Sequence, residues 1–351
     1  MLFMRLMDIL LVFVLITIAL NYMNADSTLL FVSSLLAILP LAAKMGEATE
    51  ELAKIYGGHI GGLLNATFGN AAELIIALLA INKGLVDLVK ASLAGSIIGN
   101  LLFVLGLSMF LGGLKFKEQG FSTRLAGLNS TMLLIAFMSI MIPSLFHFVP
   151  LEHRVNDEKI LSISVSVLLI SIYLLSIVFS LKTHEYLFRS KKKVEQKARW
   201  TRNYAITILA VSTILLGIVS EIFVGQIEHV AENFGLTELF IGAIVVAVIG
   251  NAAEHMAAIF FALKNNLNLS VNVTVGSSLQ IAMFVAPVAV LAGVFLHKPM
   301  DLVFTPFEII AVFASVLIVN EISSDGRCNW FEGAQLVIMY LIIAVLFYFV
   351  R

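Results

Sequence analysis

Eleven apolar runs set the terms of folding for this chain, at 6–23, 29–53, 60–82, 85–112, 126–149, 160–181, 203–225, 236–263, 269–296, 302–321 and 330–350. A helix rising 1.5 Å per residue needs roughly 20 such residues to cross ~30 Å of hydrocarbon. In lipid, backbone N–H and C=O groups must be satisfied within the segment itself, so runs of this kind are helical. They predict an all-α polytopic membrane protein with 11 transmembrane helices. The composition agrees, since 60% of the 351 residues are hydrophobic and 13% are charged. Although the first run resembles a signal peptide, the following Asn-Tyr-Met-Asn-Ala-Asp lacks a small-residue cleavage site, so it is read as a span. The single cysteine, Cys328, excludes an internal disulfide and a Cys-rich metal centre, and the net charge of -1 hides an uneven distribution and by itself says nothing about partners, among which no nucleic acid is expected.

Basic residues fix the expected orientation. Arg5, Lys44, Lys54, Lys115, Lys117, Arg124, Lys264, Arg327 and the eight Lys and Arg of 182–202 fall on one side, whereas Lys83, Lys90, Arg154, Lys159, Lys298 and Arg351 fall on the other. The positive-inside rule makes the first side cytoplasmic, with the N-terminus inside and the C-terminus outside a cell membrane. Segment 182–202 is the one sizeable polar connection. It reads as a solvated linker or as a surface element attracted to anionic lipid.

This linker separates two similar halves. Gly69-Asn70-Ala71-Ala72-Glu73 recurs as Gly250-Asn251-Ala252-Ala253-Glu254, 181 residues later. The same offset relates Gly95-Ser96 to Gly276-Ser277, Glu47 to Glu228, and Glu51 to Glu232. The expected organisation is an N-terminal helix at 1–25, a five-helix repeat at 26–181, the basic linker at 182–202 and a second five-helix repeat at 203–351. Five is odd, so equivalent helices cross in opposite senses. Inverted repeats of this kind place a substrate site near the midplane where the halves meet and allow access to alternate between sides.

Glu73 lies about 15–20 Å from either end of its run. A carboxylate at that depth costs ~2.5–3.5 kcal/mol on insertion scales, so it needs a partner or a function. No Lys or Arg occurs in 60–82 or in 236–263, the runs that hold Glu73 and Glu254. Helical spacing puts Thr67, Asn70 and Glu73 on one face, and likewise Asn251 and Glu254, with His255 beside them. Each Gly-Asn pair is a point where a helix can kink and release carbonyl oxygens. Ser96, Asn100, Ser277, Ser278 and Gln280 add oxygens at similar depth, and Ala91, Gly95 and Gly99 form a small-residue stripe for close helix approach. Two carboxylates among amides and hydroxyls suit a hard divalent cation with 6–8 oxygen ligands, calcium first. Without the ion the two acids repel and lose hydration, so the empty site takes up protons. Metal and proton then compete, which is the minimum chemistry of an antiporter. His255 extends that titration or serves as a softer ligand. Glu47, Glu50, Glu51, Glu228 and Glu232 read as vestibule acids at the two mouths or as solvated helix ends.

These motifs, together with the stretch from Gly276 to Pro287, resemble the two α-repeats of the calcium/cation antiporter superfamily, and specifically its calcium/proton exchanger branch. The resemblance covers essentially the whole chain. It implies calcium and proton binding at Glu73 and Glu254, assisted by Asn70, Asn251, Ser96, Ser277 and backbone carbonyls. It also implies export of cytosolic calcium against protons, no cofactor, and a homotrimer. Some members carry an acidic segment between the halves; here that segment is basic, so no regulatory role transfers from it. A sodium-coupled exchanger is a rival, but that branch carries Pro before the repeat Glu, where this chain has Ala72 and Ala253. A cation channel or sensor is the rival from another class.

Overall fold

The computed structural model describes residues 7–57, 61, 63–64, 67–150, 154–184 and 198–350. Its helices are α1 (Met7–Tyr22), α2 (Ser27–Tyr56), α3 (Ala71–Lys83), α4 (Val86–Phe116), α5 (Thr123–Phe146), α6 (Val155–Thr183), α7 (Arg202–Phe234), α8 (Glu238–Gly250), α9 (Ala252–Leu263), α10 (Leu267–Phe295), α11 (Pro306–Ile322) and α12 (Trp330–Phe349). Among the described residues seven are long and apolar enough to cross a membrane, and the bent pair α8 and α9 makes an eighth candidate. The expected spans at 6–23, 60–82 and 302–321 are represented by the shorter α1, α3 and α11, and 60–82 falls partly outside the described residues. So does most of the basic linker.

Polar residues set the helix starts. Asp26, Ser122, Thr201, Thr237, Thr305 and Asn329 each accept a backbone N–H from the first turn of the helix they precede. A cap of this kind is worth ~1 kcal/mol. At Thr305 and Asn329 the third helical residue, Glu308 or Glu332, reaches back to close a capping box. Pro306 occupies the first turn of α11 and delays that helix relative to the apolar run. The residues before it instead form a non-helical strap with Leu302 and Phe304 buried: Ser144 Oγ accepts the Phe304 N–H at 2.9 Å, and Ser162 Oγ accepts the Leu302 N–H at 3.0 Å.

An all-α chain needs one amendment. Strands β1 (Glu118–Gly120) and β2 (Arg327–Asn329) pair antiparallel, with Gln119 opposite Cys328. They lie in the connections after α4 and before α12, outside the apolar helices, where extended backbone can pair without violating the rule that holds in lipid.

The chain divides into two compact units, each drawing on both sequence halves. Residues 1–80, 174–236 and 249–253 make the first; 81–173, 237–248 and 254–351 make the second. In the first unit α2 packs along α7, with Phe31 and Phe223 rings 5.1 Å apart. In the second unit α4 and α10 are the inner helices, with 72% and 61% of their apolar windows buried, against 28% for α5 and α12. Lipid supplies no hydrophobic drive between helices, so close packing of small residues must hold them together. A side chain at Gly95 would strike the Ala243 backbone, and one at Gly242 would lie 2.7 Å from the Leu88 carbonyl. Gly99, expected in the same stripe, faces open space.

Candidate functional site

Both repeated motifs break their helices. The backbone turns at Gly69-Asn70 before α3 begins, and α8 ends at Gly250 with a bend of 61° before α9. Glu73 and Glu254 therefore stand third in α3 and α9, where the helix N-terminus favours the negative charge of a carboxylate.

Within the first unit the two motifs meet. Glu73 folds over the backbone of Gly250, close enough that a Cβ there would stand 3.3 Å from Glu73 Cγ and 3.5 Å from Oε1. Glu73, Asn70 and Asn251 are buried, at 8%, 3% and 0% exposure. Thr67 is exposed and bonds the Leu63 carbonyl at 2.9 Å.

Within the second unit a buried chain of polar groups links three other expected residues. Asn100 Nδ2 donates to Ser277 Oγ at 3.0 Å, and His255 Nε2 faces Asn100 Oδ1 at 3.1 Å. With the amide so oriented, His255 donates from Nε2. This places the ring in a hydrogen-bonded structural role, its partner 155 residues away. Ser96 is buried beside Gly95, Gln280 and Glu254 are half-buried, and Ser278 bonds the Thr274 carbonyl of its own helix.

Two features of this region carry no local sequence signal. α4 widens into a π segment at Gly99–Val104 and α10 does so at Ile281–Val285, close to the 181-residue offset of the repeat. Such segments shift the backbone hydrogen-bond register and concentrate at functional sites. Asn100 sits in the first of them.

The acids read as vestibules are differently placed. Glu51 is buried, accepting the Arg199 and Trp200 N–H groups at 2.5 and 3.1 Å and pairing with Lys54 at 2.9 Å. Glu47 pairs with Lys44 at 3.2 Å and faces the Arg199 guanidinium at 3.7 Å. Glu50 is exposed and paired with Lys54 at 2.7 Å, whereas Glu228 and Glu232 lie on the exposed face of α7. Fixed cations thus already occupy Glu47 and Glu51, which narrows their use in drawing ions from solution. Among the described residues no group of three His, Cys, Asp or Glu side chains is placed to hold a metal. A cation at the repeated motifs would accordingly need amide, hydroxyl and carbonyl oxygens beside its carboxylates.

The sodium/calcium exchanger protein family model matches residues 26–182 and 204–349, and the chain belongs to that family as a multi-pass membrane protein. Its relatives lie in the calcium/proton exchanger branch. It is 46% identical to a Ca(2+)/H(+) antiporter of Aphanothece halophytica over 97% of this chain and 95% of that protein. It is also 45% identical to the Ca(2+)/H(+) antiporter ChaA of Bacillus subtilis (strain 168), over 93% of this chain and 94% of that one. The solved structure of native YfkE shares 41% identity and a TM-score of 0.86, covering 98% of this chain and 100% of that chain.

Proposed function

We infer that this chain is a calcium/proton antiporter, and propose that Glu73 and Glu254 together form its exchange site. The observation that carries the site is the contact of Glu73 with Gly250, since it brings one repeated motif onto the other. Glu254 follows Gly250 by four residues, across the bend between α8 and α9. Asn70, Asn251, Ser96, Ser277, Gln280, Asn100, His255 and released backbone carbonyls are the further groups proposed for its oxygen-rich coordination sphere.

One calcium ion or protons neutralise the two carboxylates, and the two kinds of occupant exclude each other. A neutralised site is able to change the side it faces; a doubly charged empty one in lipid is not, because its desolvation is too costly. Calcium leaving on one side is therefore replaced by protons before the site returns. The proposed arrangement is eleven spans in two inverted five-helix repeats after the N-terminal helix, with the N-terminus and the basic linker cytoplasmic and the C-terminus outside. Assembly as a homotrimer belongs to the same proposal.

Everted membrane vesicles test the reading. Calcium uptake driven by an inside-acid pH gradient should proceed without sodium and should release protons from the lumen. Uptake that follows a sodium gradient and ignores the pH gradient would favour the sodium-coupled rival. Calcium flux that persists on membrane potential alone, with the pH gradient collapsed, would favour a channel.

A further inference from the structure

The C-terminal end of α9 is tied to the segment that follows α4, and both lie in the second unit. Gln119, in β1 and only 2% exposed, donates from Nε2 to the Ala262 carbonyl at 2.9 Å and to Asn265 Oδ1 at 3.0 Å. Lys115 donates from Nζ to the Leu263 carbonyl at 3.0 Å, and the Ser122 N–H to Asn268 Oδ1 at 2.6 Å. Gln119 Oε1 lies directly over Gly112 of α4, where a Cβ would collide with it. Pairing of β1 with β2 fixes the strand from its other side.

Helix ends leave carbonyls that need donors, so an ordinary C-cap is the first explanation to consider. It does not account for the arrangement. α9 closes on itself: the Asn265 N–H bonds the Ala262 carbonyl at 3.0 Å, and the Lys264 and Asn266 N–H groups both bond the Phe261 carbonyl, at 3.1 and 3.0 Å. Gln119 adds attachment rather than satisfaction. It joins α9 to α4 at a second point, the first being the bond from His255 to Asn100.

We propose that Gln119 is a positioning residue for exchange, holding α9 at one axial setting against α4 and so fixing Glu254 and His255 relative to Asn100 and Ser277. The proposal rests on the reading of Glu254 as part of the exchange site. Gln119 touches no transported ion. It acts through the roughly two helical turns between its own contact at Ala262 and the acid.

Calcium/proton exchange in everted vesicles, measured over calcium concentration, separates positioning from folding. Gln119→Leu keeps the bulk and removes the donor; it should raise the half-saturating calcium concentration about tenfold, the effect of losing its two buried hydrogen bonds, with the maximal rate per folded molecule held within about twofold. Gly112→Ala leaves the carboxamide in place but pushes it off its seat, and should shift the same parameter in the same direction by about threefold. Should Gln119→Leu fail to fold, Gly112→Ala decides the question alone. Unchanged half-saturation in the folded variants, or a loss confined to the amount of folded protein, overturns the proposal. Glu254→Gln runs in parallel: normal exchange in that variant removes the site reading itself, whereas lost exchange beside an unshifted Gln119→Leu removes only the positioning role.

Discussion

Glu51 and Glu73 lie in the same compact unit, and both are enclosed, at 1% and 8% exposure. Around Glu51 the chain has assembled its own positive charge: Lys54 one turn on, the Arg199 side chain at 3.6 Å and two backbone N–H groups from the linker's end. Glu73 instead lies on the Gly250 backbone, in an apolar run devoid of Lys and Arg. An acid with resident cations is spent on structure, since separating such a group from its partners leaves a buried charge uncompensated. An acid in a cation-free apolar run retains its capacity for a charge that comes and goes. The two glutamates also differ in what they fasten. Glu51 clips the start of α7 to α2, whereas Glu73 joins motif to motif.

Substitution should separate the two sharply. Glu73→Gln is expected to reduce calcium-driven proton movement in vesicles by at least ~100-fold, as removal of one member of a buried charge set costs about 3–5 kcal/mol. Glu51→Gln should leave the half-saturating calcium concentration alone and lower unfolding stability in detergent by about 1–3 kcal/mol, because donors are left facing a poorer acceptor. Equal effects of both changes on calcium affinity would erase the distinction. Gly250→Ala probes the contact itself. Its new methyl would press on Glu73 Cγ, so half-saturation should move by a few-fold, about 1 kcal/mol, without loss of folding.

A third enclosed titratable group sets the baseline for burial without function. Burial, helped by the Glu332, Asp325 and Glu118 carboxylates, pushes the Cys328 thiol up to about 12. It is therefore neutral at pH 8, and the thiolate is the reactive form. N-ethylmaleimide should leave the native protein unmodified at that pH, label it after unfolding, and leave exchange unchanged.

Much of this was legible in the chain. Apolar length gave the helices because lipid forbids other backbone forms, and Gly69-Asn70 and Gly250-Asn251 marked the two breaks because glycine weakens a helix and Asn starts one. Ala91 and Gly95 likewise announced a close crossing. Long-range pairing was not legible. Nothing near Glu51 in sequence points to Arg199 and Trp200, 148 and 149 residues on, and its neighbouring acids made it look like a solvated mouth. The π segments in α4 and α10 arise from packing rather than from local propensity, and Gln119 looks like any loop residue until its partner at Ala262 is known. The non-helical strap before α11 is not legible either, because apolar residues that bury against helices look the same in sequence whether or not they are helical.

The central claim is that metal and proton share one pair of carboxylates, and a direct measurement is proton release on calcium binding to the purified protein in weakly buffered detergent solution. At a pH where the metal-free site holds protons, calcium addition should release roughly one to two protons per ion bound. Glu73→Gln and Glu254→Gln should each bind calcium weakly and release fewer. Tight calcium binding with no proton release at any pH between 5 and 9, or full release from both variants, would contradict the account.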